Sequence, residues 1–398
     1  MGVQELFAIG FIVLLAIFVY IERKKFVLQK IFFPVVYVLL YRTSVGLKAM
    51  DRLAKKAPRL LKKVGTIAWV VGYAGMLFIA YKLLENLYLL YFAKKSVPGV
   101  GILQPFSQNL PGTVYVPFFY FLISLVVVIV IHEFSHGVMA RVHNLKVKAS
   151  GVGVIGLLAP ILPVAFVEPD EKEMAKRPYH QQLSILAAGP FSNIVLGMLV
   201  VGLFFLIAVP VDSHMLQHEG VLVHGITTEG SYPVQTSGMA AGEVITEMNG
   251  KQIASIKDFS AVLAEKKPGD MMHVVSNRTT YDIALGAHPM NASAPYLGVF
   301  VADKTSVKES FKEKYGSFVP TAIIWFMGLL FWLYAINLGI GFFNLLPMTI
   351  CDGGRMFQIA MLKLFGKGKE HLAYQVWKKV GIIFIVVLFM ILFKGCTG

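Results

Sequence analysis

The chain has 398 residues, 56% of them hydrophobic and 15% charged, with a mean hydropathy of +0.66, which excludes an ordinary soluble domain. A net charge of +14 would point to nucleic acid in a soluble protein, but here the basic residues cluster between hydrophobic runs, where the positive-inside rule and anionic lipid account for them. Two cysteines, Cys351 and Cys396, exclude a disulfide framework.

Apolar segments predict membrane helices over 6–21, 65–82, 116–133, 184–209 and 319–345, with a shorter one over 377–394 whose Lys378 and Lys379 snorkel. No basic stretch precedes the first and no small-residue cleavage site follows it, so it reads as a retained anchor. Residues 26–41 are apolar but carry Gln29 and Lys30, with basic stretches on both sides. An interfacial or re-entrant segment suits that charge pattern better than a crossing. Arg23, Lys24, Lys25 and the Lys- and Arg-rich 42–63 belong in the cytoplasm, which puts the N-terminus outside. The helices then alternate so that 168–182 and 366–379 lie inside and 212–315 lies outside.

The third segment ends in His132-Glu133-Phe134-Ser135-His136. Histidines four apart share one helix face and can hold a divalent metal, usually zinc, and a glutamate between them can serve as general base toward the attacking water. Ionisable groups at membrane depth rarely stand there without a use. A catalytic site needs a third ligand. His143 is one position late for the long three-histidine motif and reads as a polar residue at the helix end. Asp352 is the better candidate. It follows the helix break at Pro347 on a glycine turn, and an aspartate presented there calls for a cation. Capping of the helix predicted over 355–365 is its bland alternative, and Cys351 is a possible soft ligand.

Residues 150–167 are apolar but unfit for a helix, with three glycines, two prolines and many β-branched residues. They predict a re-entrant β-hairpin from the cytoplasmic side, with Val152 and Val154 on a strand edge open to an added strand. Residues 212–303 differ in kind: short strands over 221–226, 243–248, 271–276 and 281–285, a helix over 255–266 and an Asn249-Gly250 hairpin turn predict a small α+β domain. The run from Gly238 to Lys251 resembles the core of a PDZ domain of the bacterial-protease type, and Tyr296-Leu297-Gly298-Val299 resembles its carboxylate-binding loop.

Three elements in order carry a wider resemblance: His132-Glu133-x-x-His136, Gly189-Pro190-Phe191-Ser192-Asn193, and Asn344-x-x-Pro347 leading to Asp352-Gly353. Over about 115–395 the chain resembles the site-2 protease family of intramembrane zinc metalloproteases. In one departure, Met348-Thr349-Ile350-Cys351 stands where members commonly carry a second proline. The resemblance implies one zinc ion on His132, His136 and Asp352, Glu133 as base, Asn193 as the oxyanion donor, and Asn344 holding substrate or a helix end. It implies a polytopic α-helical membrane protein, with about six transmembrane helices, a re-entrant β-hairpin and an inserted PDZ-like domain. Anchor helices and a basic segment occupy 1–114, the two halves of the protease core 115–211 and 306–398, and the PDZ-like domain 212–305.

The function so implied is cleavage of transmembrane or membrane-anchored proteins near the cytoplasmic face, in regulated intramembrane proteolysis. The partners are that substrate, lipid, and a peptide or trimmed ectodomain on the PDZ-like domain, with no nucleic acid. Two alternatives are a membrane zincin for quality control, with Glu168 or Glu171 as third ligand, and a non-catalytic PDZ-bearing scaffold.

Overall fold

The computed structural model describes residues 2–32, 36–93, 99–106, 112–157, 159–227, 231–289 and 291–397. In chain order these form α1 (Val3–Ile21), β1 (Phe26–Phe32), β2 (Val36–Thr43), α2 (Leu47–Lys56), α3 (Pro58–Tyr88), β3 (Ile102–Gln104), β4 (Thr113–Tyr115) and α4 (Phe118–Val142). Next come β5 (Val147–Leu157), β6 (Ala159–Pro169), α5 (Glu171–Met174), α6 (Tyr179–Pro210), β7 (Leu216–Ile226), β8 (Val244–Met248), β9 (Lys251–Gln252), α7 (Ile256–Ala264), β10 (Met271–Ser276) and β11 (Thr280–Ala284). The chain closes with β12 (Gly286–His288), β13 (Asn291–Tyr296), β14 (Val299–Val307), α8 (Glu309–Tyr315), α9 (Phe318–Phe343), α10 (Asp352–Phe365) and α11 (Glu370–Thr397). Among the described residues, six helices are long and apolar enough to cross a membrane: α1, α3, α4, α6, α9 and α11. They are the six segments that hydropathy picks out.

The chain divides into two compact units, 1–204 with 328–398, and 205–327. In the first unit, Gly65, Ala68, Gly72 and Gly75 recur at helical spacing and are buried along one stripe of α3. Small residues there let neighbouring backbones approach, which is how helices associate where no water drives them together. The resulting core joins Met139 and Ala140 of α4, Ile185 and Leu186 of α6, and Met356 of α10. That core surrounds the cytoplasm-facing ends expected for α4 and α6.

The predicted hairpin is β5–β6, and it is part of a larger sheet of order β1-β2-β5-β6, all antiparallel. The stretch 26–41, expected to be interfacial or re-entrant, thus contributes the antiparallel strands β1 and β2 rather than a helix. This sheet also corrects the expectation for Val152 and Val154. Both pair on two sides, with Tyr41 and Leu39 of β2 and with Ala165 and Pro163 of β6. β5 is an interior strand, and the sheet's edges are β1 and β6. The N–H of Val167 turns away from β5 to Glu133, so strand alternation turns Ala165 and Pro163 outward too. Pro163 has no N–H to offer, as suits an edge. Two of the four strands come from the first 43 residues, so the N-terminal segment is built into the protease sheet rather than merely anchoring it.

The second unit is PDZ-like, with a sheet of order β11-β10-β8-β7-β14 and β9 paired to β8. Asn249 and Gly250 both adopt positive φ, 48° and 77°, as the two-residue hairpin turn requires. Ser255 caps α7 through the Asp258 N–H, and the Asp258 carboxylate returns to the Ser255 N–H. Val221, Val223, Ile245, Met272, Val274 and Ile283 fill the core. Burial pushes the Glu243 carboxyl up, but hydrogen bonds from Ser276, Tyr281 and the Ala240 N–H outweigh it and hold the pKa low, pinning the loop before β8. The strand β14, paired along its length with β7, was not foreseen.

Candidate metal centre

α4 carries His132 and His136 one turn apart, with Glu133 next to the first, and all three line a cavity with residues of α6 and α10. α9 stops at Phe343, and the Asn344-Leu345-Leu346-Pro347 turn folds the chain back so that Asp352 opens α10. The Gly353 N–H donates to the Asn344 carbonyl at 2.7 Å, and a Cβ on Gly353 would sit 2.1 Å from the Leu345 oxygen. Only glycine follows the aspartate without pushing this turn apart. Cys351 takes the N-cap position and is buried with Leu346, Met348 and Phe384, in a cluster apart from the histidines. Its capping and ligand alternatives for this corner thus separate: Cys351 precedes the helix, and Asp352 reaches the histidines.

Asp352 Oδ2 lies 3.0 Å from His132 Nε2 and 3.2 Å from His136 Nε2, and the two Nε2 atoms are 3.2 Å apart. His136 Nδ1 faces the Ile185 carbonyl at 2.7 Å. A carbonyl only accepts, so Nδ1 carries the proton and the neutral ring turns its Nε2 lone pair toward the carboxylate. An imidazole lone pair and a carboxylate, both acceptors, face each other here, and that calls for a cation. Zinc bonds of about 2.0–2.2 Å at tetrahedral angles set neighbouring ligand atoms about 3.3–3.5 Å apart, so this triad fits the ion with shifts of a few tenths of an ångström. The backbone agrees: a Cβ on Gly189 would sit 2.3 Å from His136 Nε2 and 2.7 Å from His132 Nε2. Glycine there leaves the ligand atoms room that any side chain would fill.

Glu133 Oε2 accepts the Val167 N–H at 2.9 Å, which ties the glutamate to the β6 edge of the sheet. Glu133, both histidines and Asp352 line a cavity of about 340 Å³. It shares Glu171, Met174, Leu186 and Arg355 with a second cavity of about 460 Å³, and the Arg355–Glu171 ion pair, at 3.2 Å, stands where the two meet. The second cavity extends to Lys367 and Glu370.

The remaining candidates fall elsewhere. Asn193 is fully buried and bonds to His132 Nδ1 at 3.1 Å, on the side of the ring away from the cluster, and it is not among the cavity-lining residues. Asn344 lines the cavity, but its amide donates back to Ile340, as a helix-end residue does. His143 ends α4, and burial first, then Lys62, His180 and Arg177, push its pKa down to about 4. Glu168 is paired with Arg42 and Glu171 with Arg355, which leaves neither with the histidines. The Val167 N–H has no signature in the sequence, and Gly189 appears there only as part of the Gly189-Pro190-Phe191-Ser192-Asn193 element, because both roles depend on how α6 and β6 approach α4.

The family model for Peptidase family M50 matches residues 120–388. An uncharacterised protein of Methanocaldococcus jannaschii is 27% identical over 327 residues, covering 78% of this chain and 74% of its own. Zinc metalloprotease RasP of Shouchella clausii is 24% identical over 242 residues, 50% of this chain and 55% of that protein. Regulator of sigma-W protease RasP of Bacillus subtilis is 23% identical over 270 residues, 56% and 61%. The PDZ domain of an SdrC-like protein from Listeria monocytogenes aligns with 21% of this chain and 88% of its own, at 25% identity and a TM-score of 0.19.

Proposed function

The chain belongs to peptidase family M50 and is a multi-pass membrane zinc metalloendopeptidase; on that premise we propose that it cuts transmembrane or membrane-anchored proteins from within the bilayer, with His132, His136 and Asp352 as zinc ligands and Glu133 as general base. The convergence of the two imidazoles and the carboxylate on one point beside Glu133 carries the reading. Bound zinc supplies a Lewis acid for the scissile carbonyl. Glu133 takes the proton of the attacking water and hands it to the leaving amine. A substrate helix has its peptide groups tied up in its own hydrogen bonds and must unwind before it reacts. The edge of β6 offers the unwound segment new partners, and Glu133 already sits against that edge. Asn193 serves the same site by way of His132.

The ligand assignment is tested by the metal content of the purified full-length protein. Asp352→Ala and His132→Ala are each expected to lose most of the zinc that the wild type carries. Full retention by Asp352→Ala would remove it from the ligand set.

The lysine and arginine bias supports an N-terminus outside, an active site near the cytoplasmic face and an extracytoplasmic PDZ-like domain. On that side the domain meets a peptide or an ectodomain already trimmed, and the cut releases a cytoplasmic fragment, as regulated proteolysis demands. Single cysteines at two exposed positions, Arg278→Cys and Lys172→Cys, are expected to react with impermeant maleimide from outside and only after permeabilisation, respectively. Labelling of both from one side refutes this orientation.

A further inference from the structure

Asn193 stands on α6 one turn after Gly189, so the residue that clears space for the ligand atoms and the residue that touches His132 share a helix face. His132 is held at both ends of its ring: Nδ1 is 3.1 Å from the Asn193 amide nitrogen, and Nε2 is 3.0 Å from Asp352 Oδ2. With the amide nitrogen toward Nδ1, the amide donates, and Nε2 carries the ring proton and gives it to Asp352. A ring in that tautomer has no lone pair at Nε2 for a metal. Turning the amide by half a revolution exchanges its oxygen and nitrogen with little movement of anything else. The oxygen then accepts from Nδ1–H, and the Nε2 lone pair faces the cluster.

The two orientations carry the same charge and keep one bond between the amide and Nδ1, but the turned one gives up the His132 Nε2–H bond to Asp352. Asn193 Oδ1 has no hydrogen-bond partner as it stands, and after the turn the amide NH₂ takes that place, so one end of the amide is unpartnered either way. Without a cation, the turned orientation sets two imidazole lone pairs and a carboxylate against one another across 3.0–3.2 Å. A dication removes that repulsion and turns it into attraction. We propose that Asn193 is a positioning residue whose amide oxygen holds His132 in the Nδ1–H tautomer, leaving Nε2 to bind zinc. The inference rests on the ligand set given above. It reassigns Asn193 from the oxyanion to the ligand histidine, in keeping with its full burial and its absence from the cavity wall. An asparagine can present either atom, so it serves the ring with or without the metal, whereas an aspartate can only accept.

The test is a zinc titration of the full-length protein in detergent against a chromogenic chelator, with the thermal midpoint of the metal-free protein beside it. Asn193→Leu keeps the γ-branched shape and removes the acceptor. It is expected to weaken zinc binding by about 10–100-fold, the usual effect of removing such a partner, at an unchanged midpoint. Asn193→Asp restores the acceptor and is expected to bind zinc at least as tightly as wild type. Wild-type zinc affinity in both variants, with hydrolysis lost in both, is the pattern of an oxyanion donor and overturns the proposal. Equal weakening in both, with a lowered midpoint, is the pattern of a packing residue and also overturns it. His132→Ala in the same titration separates the two layers. Undiminished zinc binding there removes the ligand set and this proposal together, and weakened binding there with none in Asn193→Leu removes this proposal alone.

Discussion

Glu133→Gln is expected to fold, keep its zinc and lose peptide hydrolysis by about 10²–10⁴-fold, the usual contribution of a positioned general base. The substitution is nearly isosteric, and the glutamine oxygen can still accept the Val167 N–H that the carboxylate holds at 2.9 Å. What it cannot do is take a proton. Because the ligands are untouched, metal content separates loss of the base from loss of the site. A cleavage rate on a membrane substrate within tenfold of wild type would take Glu133 out of the base role. The same variant should hold substrate long enough to locate it. Neighbouring strands lie about 4.8 Å apart, so a segment added beside β6 is one spacing from Ala165 and two from Val152. Photocrosslinkers in a substrate segment should therefore reach 163–167 in preference to 150–154. Crosslinks confined to β5 would mean that the substrate does not extend the sheet.

Gly189→Ala should do comparable damage by the opposite route. Alanine is the better helix former by about 1 kcal/mol, so α6 itself gains from the change. Its methyl group, however, falls 2.3 Å from His136 Nε2 and 2.7 Å from His132 Nε2, well inside contact distance. α6 cannot simply withdraw, since Ile185, Ala187 and Ala188 beside it are packed into the core. The imidazoles must move instead, and a displacement near 1 Å costs about 10²-fold in rate even where chemistry is otherwise intact. The expected result is a protein of full helical content, depleted of zinc and at least about 10²-fold slower in cleavage. Wild-type zinc content together with a rate within tenfold would show that the site has room that this geometry denies it.

Much of this molecule is legible locally. The histidines announce themselves because a helix repeats every 3.6 residues, and Asp352 because a proline and a glycine turn bracket it. Residues 150–167 read as a hairpin because glycine, proline and β-branched residues leave an apolar stretch few other options at membrane depth. What stayed hidden is what depends on distant pairing. Leu39 meets Val154 across the sheet, and neither residue's neighbourhood records the other, so β5 read as an edge when it is an interior strand. β14 was missed for the same reason: its Asp303-Lys304-Thr305 stretch looks like a loop until β7 pairs with it. Asn193 was legible as part of a motif, but a motif carries no direction, and only the packed helix shows which atom of His132 it meets.

The pairing of β2 with β5 also imposes an order on the making of the protein. Thr43 leaves the ribosome about a hundred residues before Val147 does, which at about 5–20 residues per second is roughly 5–20 s. Throughout that interval the hairpin β1–β2 has been synthesised while the strand that completes it has not. Its unsatisfied backbone groups cannot be left in lipid. During biogenesis the hairpin must wait at the water-facing surface, or under the cover of the insertion machinery. Its partner strand arrives only with β5, so the sheet is completed late in synthesis although half of it is made first.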